Sequence, residues 1–515
     1  MNLARLISET AAKYADKPAI IFEGTFEKRV WTYRDFDQQV QHYAATLDRL
    51  GLKKGDRVAV QMPKCVEFLF FHFAILSIGA IVIPLNPDYR PDEIVYFLTD
   101  SGSSLYVTTS HLFSKVQAEI QHLVELQMPK LQILLKEEIP PLSEAIFLPE
   151  YPATDDNIAM ICYTSGTTGR SKGAAIAHRN LIANIQALHD AWGWSDRDIL
   201  LHVLPLFHVH GLNVATLGCF YAGATMIMVE KFAPNQVWEI LQSQKCTLFM
   251  GVPTIYQRLM HEWQNLERKP DLSQMRLFIS GSAPLSDQQF YQFENFTNFR
   301  ILERYGMTET GMNASNHIAP EHRKAKSVGF PLAGVEIRIV DRHGDDVAIG
   351  EVGEVLIRGD NVFQGYWGSP EKTQEAFVDG WFRTGDLGFQ DPDGRLYLVG
   401  RAKELIITGG FNVYPKEIEN ILESHEAVKE SAVIGLPDLD FGEKVVAAIA
   451  LKDGISITSP ALITHCKNHL ASYKCPKQIF FVSELPRNAM GKIQKNILKM
   501  QILDPPQPPL KRGEN

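Results

Sequence analysis

The sequence predicts an α/β protein of more than one domain. Three observations carry that prediction. Strand-like and helix-like segments alternate from Trp31 to Thr108, a second alternating run fills 180–266, and past about 325 the texture shifts to short β segments with Gly and Asp turns. Strand, helix, strand repeated implies crossover connections and parallel sheets. The expected architecture is a large N-terminal domain of two α/β, parallel-sheet subdomains plus a small β subdomain, then a small α+β C-terminal domain.

Each element has local grounds. The start, MNLARLISET, lacks the apolar core and small-residue cleavage site of a secretory signal and reads as a short amphipathic helix. Thr32 can cap a helix running to about Leu50, Arg57–Gln61 is a short apolar strand, 64–78 and 91–100 read as helices, and 80–84 and 104–108 as strands. Residues 68–85 approach the length of a membrane span. His72, Gly79 and Pro84 interrupt them, and Gly79-Ala80 divides the run into a buried helix and a buried strand, so no integral span is expected. The second run has strands at Thr225–Val229 and 248–252 and helices around 180–192, 212–221, 234–243 and 254–266. Val335–Val340 and 353–358 form the β subdomain. After Gly400 a separate α+β segment carries helices at 416–424 and near 460–471. The tail, 504–515, is Pro-rich and polar, and is expected to be disordered.

Length and composition narrow the function classes. A chain of 515 residues with 45% apolar residues buries a substantial core, and a net charge of −9 argues against a nucleic-acid partner. The six cysteines (Cys65, Cys162, Cys219, Cys246, Cys466, Cys475) are scattered, with no Cys-x-x-Cys pair, which indicates neither a zinc site nor a disulfide framework and fits a reducing cytoplasm.

The most informative run is YTSGTTGRSKG at 163–173, directly after an apolar segment. Its glycines admit backbone N–H groups to an anion, its hydroxyls donate further, and Arg170 and Lys172 neutralise charge, a combination suited to a triphosphate. It is not a Walker loop. That pattern separates its two glycines by four residues and follows the second with Lys-Ser/Thr, whereas Gly166 and Gly169 are three apart and Gly173 follows Lys172. Downstream come ERYGMTET at 303–310, WFRTGDL at 381–387, GRAKEL at 400–405, GGFNVYP at 409–415 and PRNAMGK at 486–492.

These six motifs, in this order over about residues 10–500, resemble the adenylate-forming (AMP-binding) superfamily of acyl-CoA synthetases, nonribosomal adenylation domains and luciferases. The resemblance implies ATP, Mg2+ and CoA, and a reaction in which a carboxylic acid is adenylated with loss of pyrophosphate and then passed to a thiol. By that match Thr164, Ser165, Gly166, Thr167, Thr168, Gly169 and Lys172 would hold the β- and γ-phosphates. Glu309 would be the magnesium ligand, Thr308 would lie beside the α-phosphate, and Tyr305 would stack on adenine. Gly281, Ser282 and Ala283 would face the other side of the base, and Glu303 heads the same nucleotide-binding motif. Asp386 and Arg401 would bind the ribose. Lys492 would stabilise charge at the α-phosphate, and the small domain, 404–503, would be mobile, turning about Lys403 against residues 1–402 to present Gly409 and Gly410 to the thiol.

The acid is the less determined part. PLFHVHG at 205–211, GVPT at 251–254, SGSAPL at 280–285, MTETGMN at 307–313 and GGFNVYPKEIE at 409–419 most resemble malonyl-CoA synthetases, which implies malonate or a related small dicarboxylate, with His208, Ser280 and Met307 at the acyl pocket. His208 and His210 are two apart, but with no third ligand they do not indicate a metal. A second substrate carboxylate needs a cation to be buried, and Arg258 is the candidate, although it also stands one turn from Glu262. Without a cation facing the pocket, a medium- or long-chain fatty acid or an aryl acid is the better expectation. A carrier-protein acceptor is the alternative to CoA. Acyl-AMP ligases of that kind carry an insertion near the small-domain boundary, and none stands between Gly400 and Pro415. A luciferase-like oxygenase would reuse the same site. A non-catalytic nucleotide-binding protein is opposed by the intact Lys172, Glu309, Asp386, Arg401 and Lys492.

Overall fold

The structure, a computed structural model, describes residues 2–25, 28–142, 154–164, 171–409, 411–438, 440–487 and 492–503. The chain forms two compact units. The larger is Met1–Arg338 with Leu356–Arg383, and the smaller is Ile339–Val355 with Thr384–Asn515.

The larger unit holds two α/β sheets, as expected. In the first, strands Ile158–Thr164, Ile81–Leu85, Arg57–Gln61, Leu105–Thr108 and Gln132–Leu135 run parallel, and Lys172–Ala177 and Gly365–Tyr366 add to one edge antiparallel. In the second, Pro18–Glu23, Thr225–Val229, Ile199–His202, Leu248–Gly251, Leu277–Ser280 and Leu302–Met307 lie parallel in that order. Beyond Leu302–Met307 the strands Gly311–Ser315 and Ser327–Pro331 turn antiparallel. Parallel strands covered on both faces need near-continuous apolar sequence, and Thr225–Val229 and Leu248–Gly251 are buried at every position.

The local signals act as their chemistry dictates. Thr32 and Asp35 close a reciprocal capping box at the start of helix Tyr33–Arg49. The apolar run 68–85 becomes helix Val66–Ser77 and strand Ile81–Leu85, with Gly79 between them at φ +74°, a conformation open to glycine. Among the described residues no helix is long and apolar enough to cross a membrane. One element departs from the simple helix expected at 212–221. His210–Thr216 is a π-helical turn that passes into the α-helix Leu217–Tyr221. The wider turn starts where Gly211 lies against Pro205, whose carbonyl oxygen would stand 2.0 Å from any Cβ placed on that glycine.

In the smaller unit a sheet of Phe411–Val413, Ile406–Thr408, Gly442–Leu451 and Val428–Asp438, joined by Gln478–Phe481, packs helices Pro415–Glu423 and Ser459–His469 over a core that includes Val413, Ile418, Val433, Ile449 and Leu462. The expected tail at 504–515 lies outside the described residues.

Three buried histidines make the larger unit sensitive to acid. Burial, with the neighbouring His178 charge second, lowers His72 to about 3; burial lowers His178 to about 4; and burial, with Lys64 second, lowers His202 to about 3. Unfolded histidine takes its proton near pH 6.5, so the stability present above that value is lost as pH falls toward these folded values. The unfolding midpoint is expected to drop between pH 7 and pH 5, and His72→Leu to remove up to about 2 kcal/mol of that pH dependence. An unchanged slope in the variant contradicts the account.

Candidate active site

Strands Ile158–Thr164 and Lys172–Ala177 pair antiparallel with Thr164 opposite Lys172, forming a hairpin where a Walker loop joins a strand to a helix. Ser165, Gly166, Thr167, Thr168 and Gly169 lie outside the described residues. Their flanks converge with Glu309, whose side chain is buried. Its Oε1 accepts from the Tyr366 hydroxyl at 3.2 Å and stands 3.5 Å from Thr164 Oγ1. The Lys172 ammonium lies over the Tyr366 ring, 4.7 Å from its centroid. Tyr366 is thus shared between the expected phosphate cation and the expected magnesium ligand. Sequence reasoning missed it, because a Gly-Tyr pair on a two-residue edge strand carries no chemical signature of its own. Glu309 supplies the hard oxygen that magnesium prefers, and Mg2+, when bound, would neutralise phosphate charge there.

A second cluster forms where strands Leu277–Ser280 and Leu302–Met307 run in register, Ser280 opposite Glu303, which sets Gly281 beside Arg304. A Cβ on Gly281 would stand 2.4 Å from Arg304 Cζ, so only glycine admits the guanidinium. Arg304 is 2% exposed, and its Nε and Nη2 have no hydrogen-bond partner among the described residues; the same holds for His210 Nε2 and Ser280 Oγ. The next residue, Ser282, takes φ +67° and meets His210 Nδ1 at 3.2 Å. The backbone N–H of His210 donates to His208 Nδ1 at 3.2 Å. Burial first, and the Arg304 charge second, lower His208 to about 4 and His210 well below the usual range, so both rings are neutral at physiological pH. Arg304 itself is lowered by burial to about 9 and still carries its charge.

Arg258 does not join this cluster. Helix Pro253–Asn265 buries Tyr256, Leu259, Met260 and Trp263, and a residue two positions after Tyr256 points to the opposite side, which leaves Arg258 exposed. The buried cation of the region is Arg304. Its signal in the sequence was the charged pair Glu303-Arg304 inside a strand, masked by the motif around it. Glu303 reaches back to accept from the Leu285 backbone N–H at 2.9 Å, tying down the segment that carries Gly281, Ser282 and Ala283. Tyr305 is buried, while Met307 and Thr308 are half-buried at the end of the strand.

The smaller unit groups the other charged residues. Asp386 and Arg401 pair across a hairpin, Asp386 Oδ1 2.7 Å from Arg401 Nε. The Asp386 N–H donates to Thr384 Oγ1, and Arg401 Nη1 donates to the Thr384 carbonyl at 3.1 Å. Lys403 is exposed in the single turn Ala402–Glu404. Gly409 takes φ +56° and donates its N–H to the Phe441 carbonyl; Gly410 lies outside the described residues. Lys492 is exposed as a whole residue, yet enough protein surrounds its ammonium that desolvation lowers its pKa. Arg401 adds to that effect, while Glu404 and Asp386 oppose it.

Comparison with protein-family models matches residues 7–367 to "AMP-binding enzyme" and 417–492 to "AMP-binding enzyme C-terminal domain". The chain belongs to the AMP-binding enzyme family. The long-chain-fatty-acid–CoA ligase of Salmonella typhimurium is 34% identical, over 97% of this chain and 94% of that protein. The mitochondrial malonate–CoA ligase ACSF3 of Mus musculus is 36% identical, over 92% and 87%. ATP-bound MatB from Rhodopseudomonas palustris shares the fold with a TM-score of 0.90 at 38% identity, covering 98% of this chain and 99% of that one. This AMP-binding enzyme is an acid–CoA ligase that uses ATP, Mg2+ and CoA.

Tyr366→Phe keeps the ring under Lys172 and removes the hydroxyl from Glu309. Titrating Mg2+ in ATP–pyrophosphate exchange is expected to show a magnesium requirement about 10-fold or more higher, since the carboxylate loses one hydrogen bond of about 1.5–3 kcal/mol. An unchanged magnesium curve contradicts the placement.

Proposed function

We propose that the enzyme makes malonyl-CoA, or the thioester of a closely related small dicarboxylic acid, and that Arg304 receives the carboxylate that does not react. The observation carrying this reading is the buried guanidinium, charged and short of partners, beside Gly281 and the two neutral histidines. An isolated buried charge is costly, and a substrate anion of matching geometry supplies its missing acceptors. The likeness to MatB and to the malonate–CoA ligase ACSF3 supports the same reading.

Repulsion between a carboxylate and a polyphosphate is the first obstacle to adenylation. At a few ångströms each unit charge pair is worth on the order of 4 kcal/mol at an effective dielectric near 20, so several cations are required. In this proposal Lys172 and the 164–169 loop hold the β- and γ-phosphates, Glu309 holds magnesium, Thr308 lies beside the α-phosphate, and Tyr305 with Gly281, Ser282 and Ala283 bounds the adenine. Asp386 and Arg401 bind the ribose, and Lys492 stabilises the charge that develops as the acid's oxygen bonds to phosphorus and pyrophosphate leaves. The segment 404–503 then turns about Lys403, which supports that role by standing exposed in one short turn between strands Leu396–Arg401 and Ile406–Thr408. Gly409 and Gly410 give the pantetheine arm close backbone approach. CoA is the acceptor, and the six unpaired cysteines suit a reducing cytoplasm.

A fatty-acid ligase is the second reading, favoured by relatives of nearly equal identity such as the ligase of Salmonella typhimurium. It leaves Arg304 without an anion. The two readings separate in ATP–pyrophosphate exchange over malonate, methylmalonate, succinate, acetate, octanoate and benzoate. Arg304→Met is expected to lower kcat/KM for malonate by at least about 10²-fold, the size of removing one partner from a buried ion pair, and to lose less toward monocarboxylic acids. Arg258→Met is expected to stay within about 3-fold of the unaltered enzyme, as a surface substitution does. Equal loss toward all acids in Arg304→Met, or selective loss of malonate in Arg258→Met, refutes the assignment.

A further inference from the structure

Lys495, three residues past Lys492, opens the helix Lys495–Leu503, where a cation opposes the helix dipole. Two carboxylates from distant parts of the smaller unit hold it there. Its Nζ lies 2.6 Å from Glu419 Oε1 and 3.1 Å from Glu404 Oε2. Glu419 is buried on helix Pro415–Glu423 and also accepts from the Val433 N–H at 2.9 Å, so it is a fixed anchor. Glu404 directly follows Lys403. Burial alone would discharge Lys495 and protonate Glu419, but each raises or lowers the other in the direction that keeps both charged. The other foot of the Lys492 loop is pinned as well: Arg487 bridges Ile493 in a backbone pair, Gln494 N donates to the Pro486 carbonyl at 2.7 Å, and the Arg487 guanidinium bonds Glu430.

We infer that Glu404, Lys495 and Glu419 form a positioning triad for Lys492, fixing the base of its loop to the residue that follows the proposed pivot. The inference rests on the adenylation role proposed for Lys492. No atom of the triad needs to touch substrate. Its effect is to hold the Lys492 stem so that its ammonium is aimed before ATP arrives, and to make that ammonium travel as one piece with everything after Lys403. A group of this kind acts on the rate of the step that uses Lys492 and leaves ATP affinity and the later thiol step alone.

The test compares Lys495→Met, Lys495→Arg, Glu404→Gln and Lys492→Ala by ATP–pyrophosphate exchange, using malonate or whichever acid of the panel exchanges fastest. A second measurement gives the single-turnover rate of thioester formation when CoA is added after adenylate has accumulated. Lys495→Met is expected to lower the exchange kcat by about 10- to 100-fold, the range set by a misplacement of about 1 Å, with KM for ATP within about 2-fold. Lys495→Arg restores the rate to within about 3-fold, Glu404→Gln gives a smaller loss of the same kind, and the CoA step is unchanged in all three. Exchange within about 2-fold of the unaltered enzyme in a folded Lys495→Met overturns the triad, as does equal loss in both half-reactions. Should Lys495→Met fail to fold, the half-buried Glu404→Gln decides: unaltered exchange there overturns the proposal. Lys492→Ala separates the two levels. Normal exchange in that variant defeats the role of Lys492 itself, whereas its loss beside normal exchange in the Lys495 and Glu404 variants defeats the triad alone.

Discussion

A buried guanidinium whose Nε and Nη2 have no hydrogen-bond partner among the described residues is the constraint around which its surroundings, the proposed acid-binding side, are arranged. Placing Arg304 inside the sheet costs desolvation that no hydrogen-bonded carboxylate among the described residues offsets at those two nitrogens. Its neighbours are shaped by that choice. Gly281 has no side chain because the guanidinium occupies the space, Ser282 takes a left-handed backbone so that the chain can turn away, and Glu303 spends one carboxylate oxygen on the Leu285 N–H to keep that turn in place. His208 and the π-helical turn at His210 bring two imidazoles alongside, and both stay neutral because they are buried and Arg304 is close. The result is one buried guanidinium beside two neutral imidazoles, with the Glu303 carboxylate as the nearby opposite charge.

The charges that would serve ATP follow a different logic. Glu309, Lys172 and Tyr366 are gathered by the turn after strand Leu302–Met307, one strand of the Thr164–Lys172 hairpin and an edge strand in the larger unit, whereas Asp386, Arg401 and Lys492 share one electrostatic neighbourhood in the smaller. Lys492 feels both signs at once, Arg401 lowering its proton affinity and Glu404 and Asp386 raising it. Burial is the larger influence on that ammonium, and the lysine at 495 is bonded to Glu404 and Glu419.

Much of this was legible in the residues. Crossover strands came through because Thr225–Val229 and Arg57–Gln61 are short, apolar and bounded by turns, and the false membrane span at 68–85 was resolved by one glycine with positive φ. What stayed hidden depended on distance in space. Arg258 was a reasonable cation on a helix, but helix Pro253–Asn265 has only one buried face and Tyr256 claims it. Arg304 sat inside a motif already assigned to nucleotide, so its own chemistry was overlooked. Tyr366 and Lys495 gain their meaning from Glu309, Glu404 and Glu419, residues between 57 and 91 positions away that no periodicity connects to them. The division of the chain between Arg383 and Thr384 was equally silent, because it falls within a continuous strand, Trp381–Gln390.

The most direct test of the central claim is calorimetric titration of the unaltered protein, in the presence of a non-hydrolysable ATP analogue and Mg2+, with malonate and then with its monomethyl ester, which keeps the shape and removes one charge. The account predicts measurable binding of malonate and a loss of at least about 10-fold for the ester, the least that an unpaired buried arginine costs. Equal affinity for the two, or tighter binding of octanoate than of malonate, would contradict it.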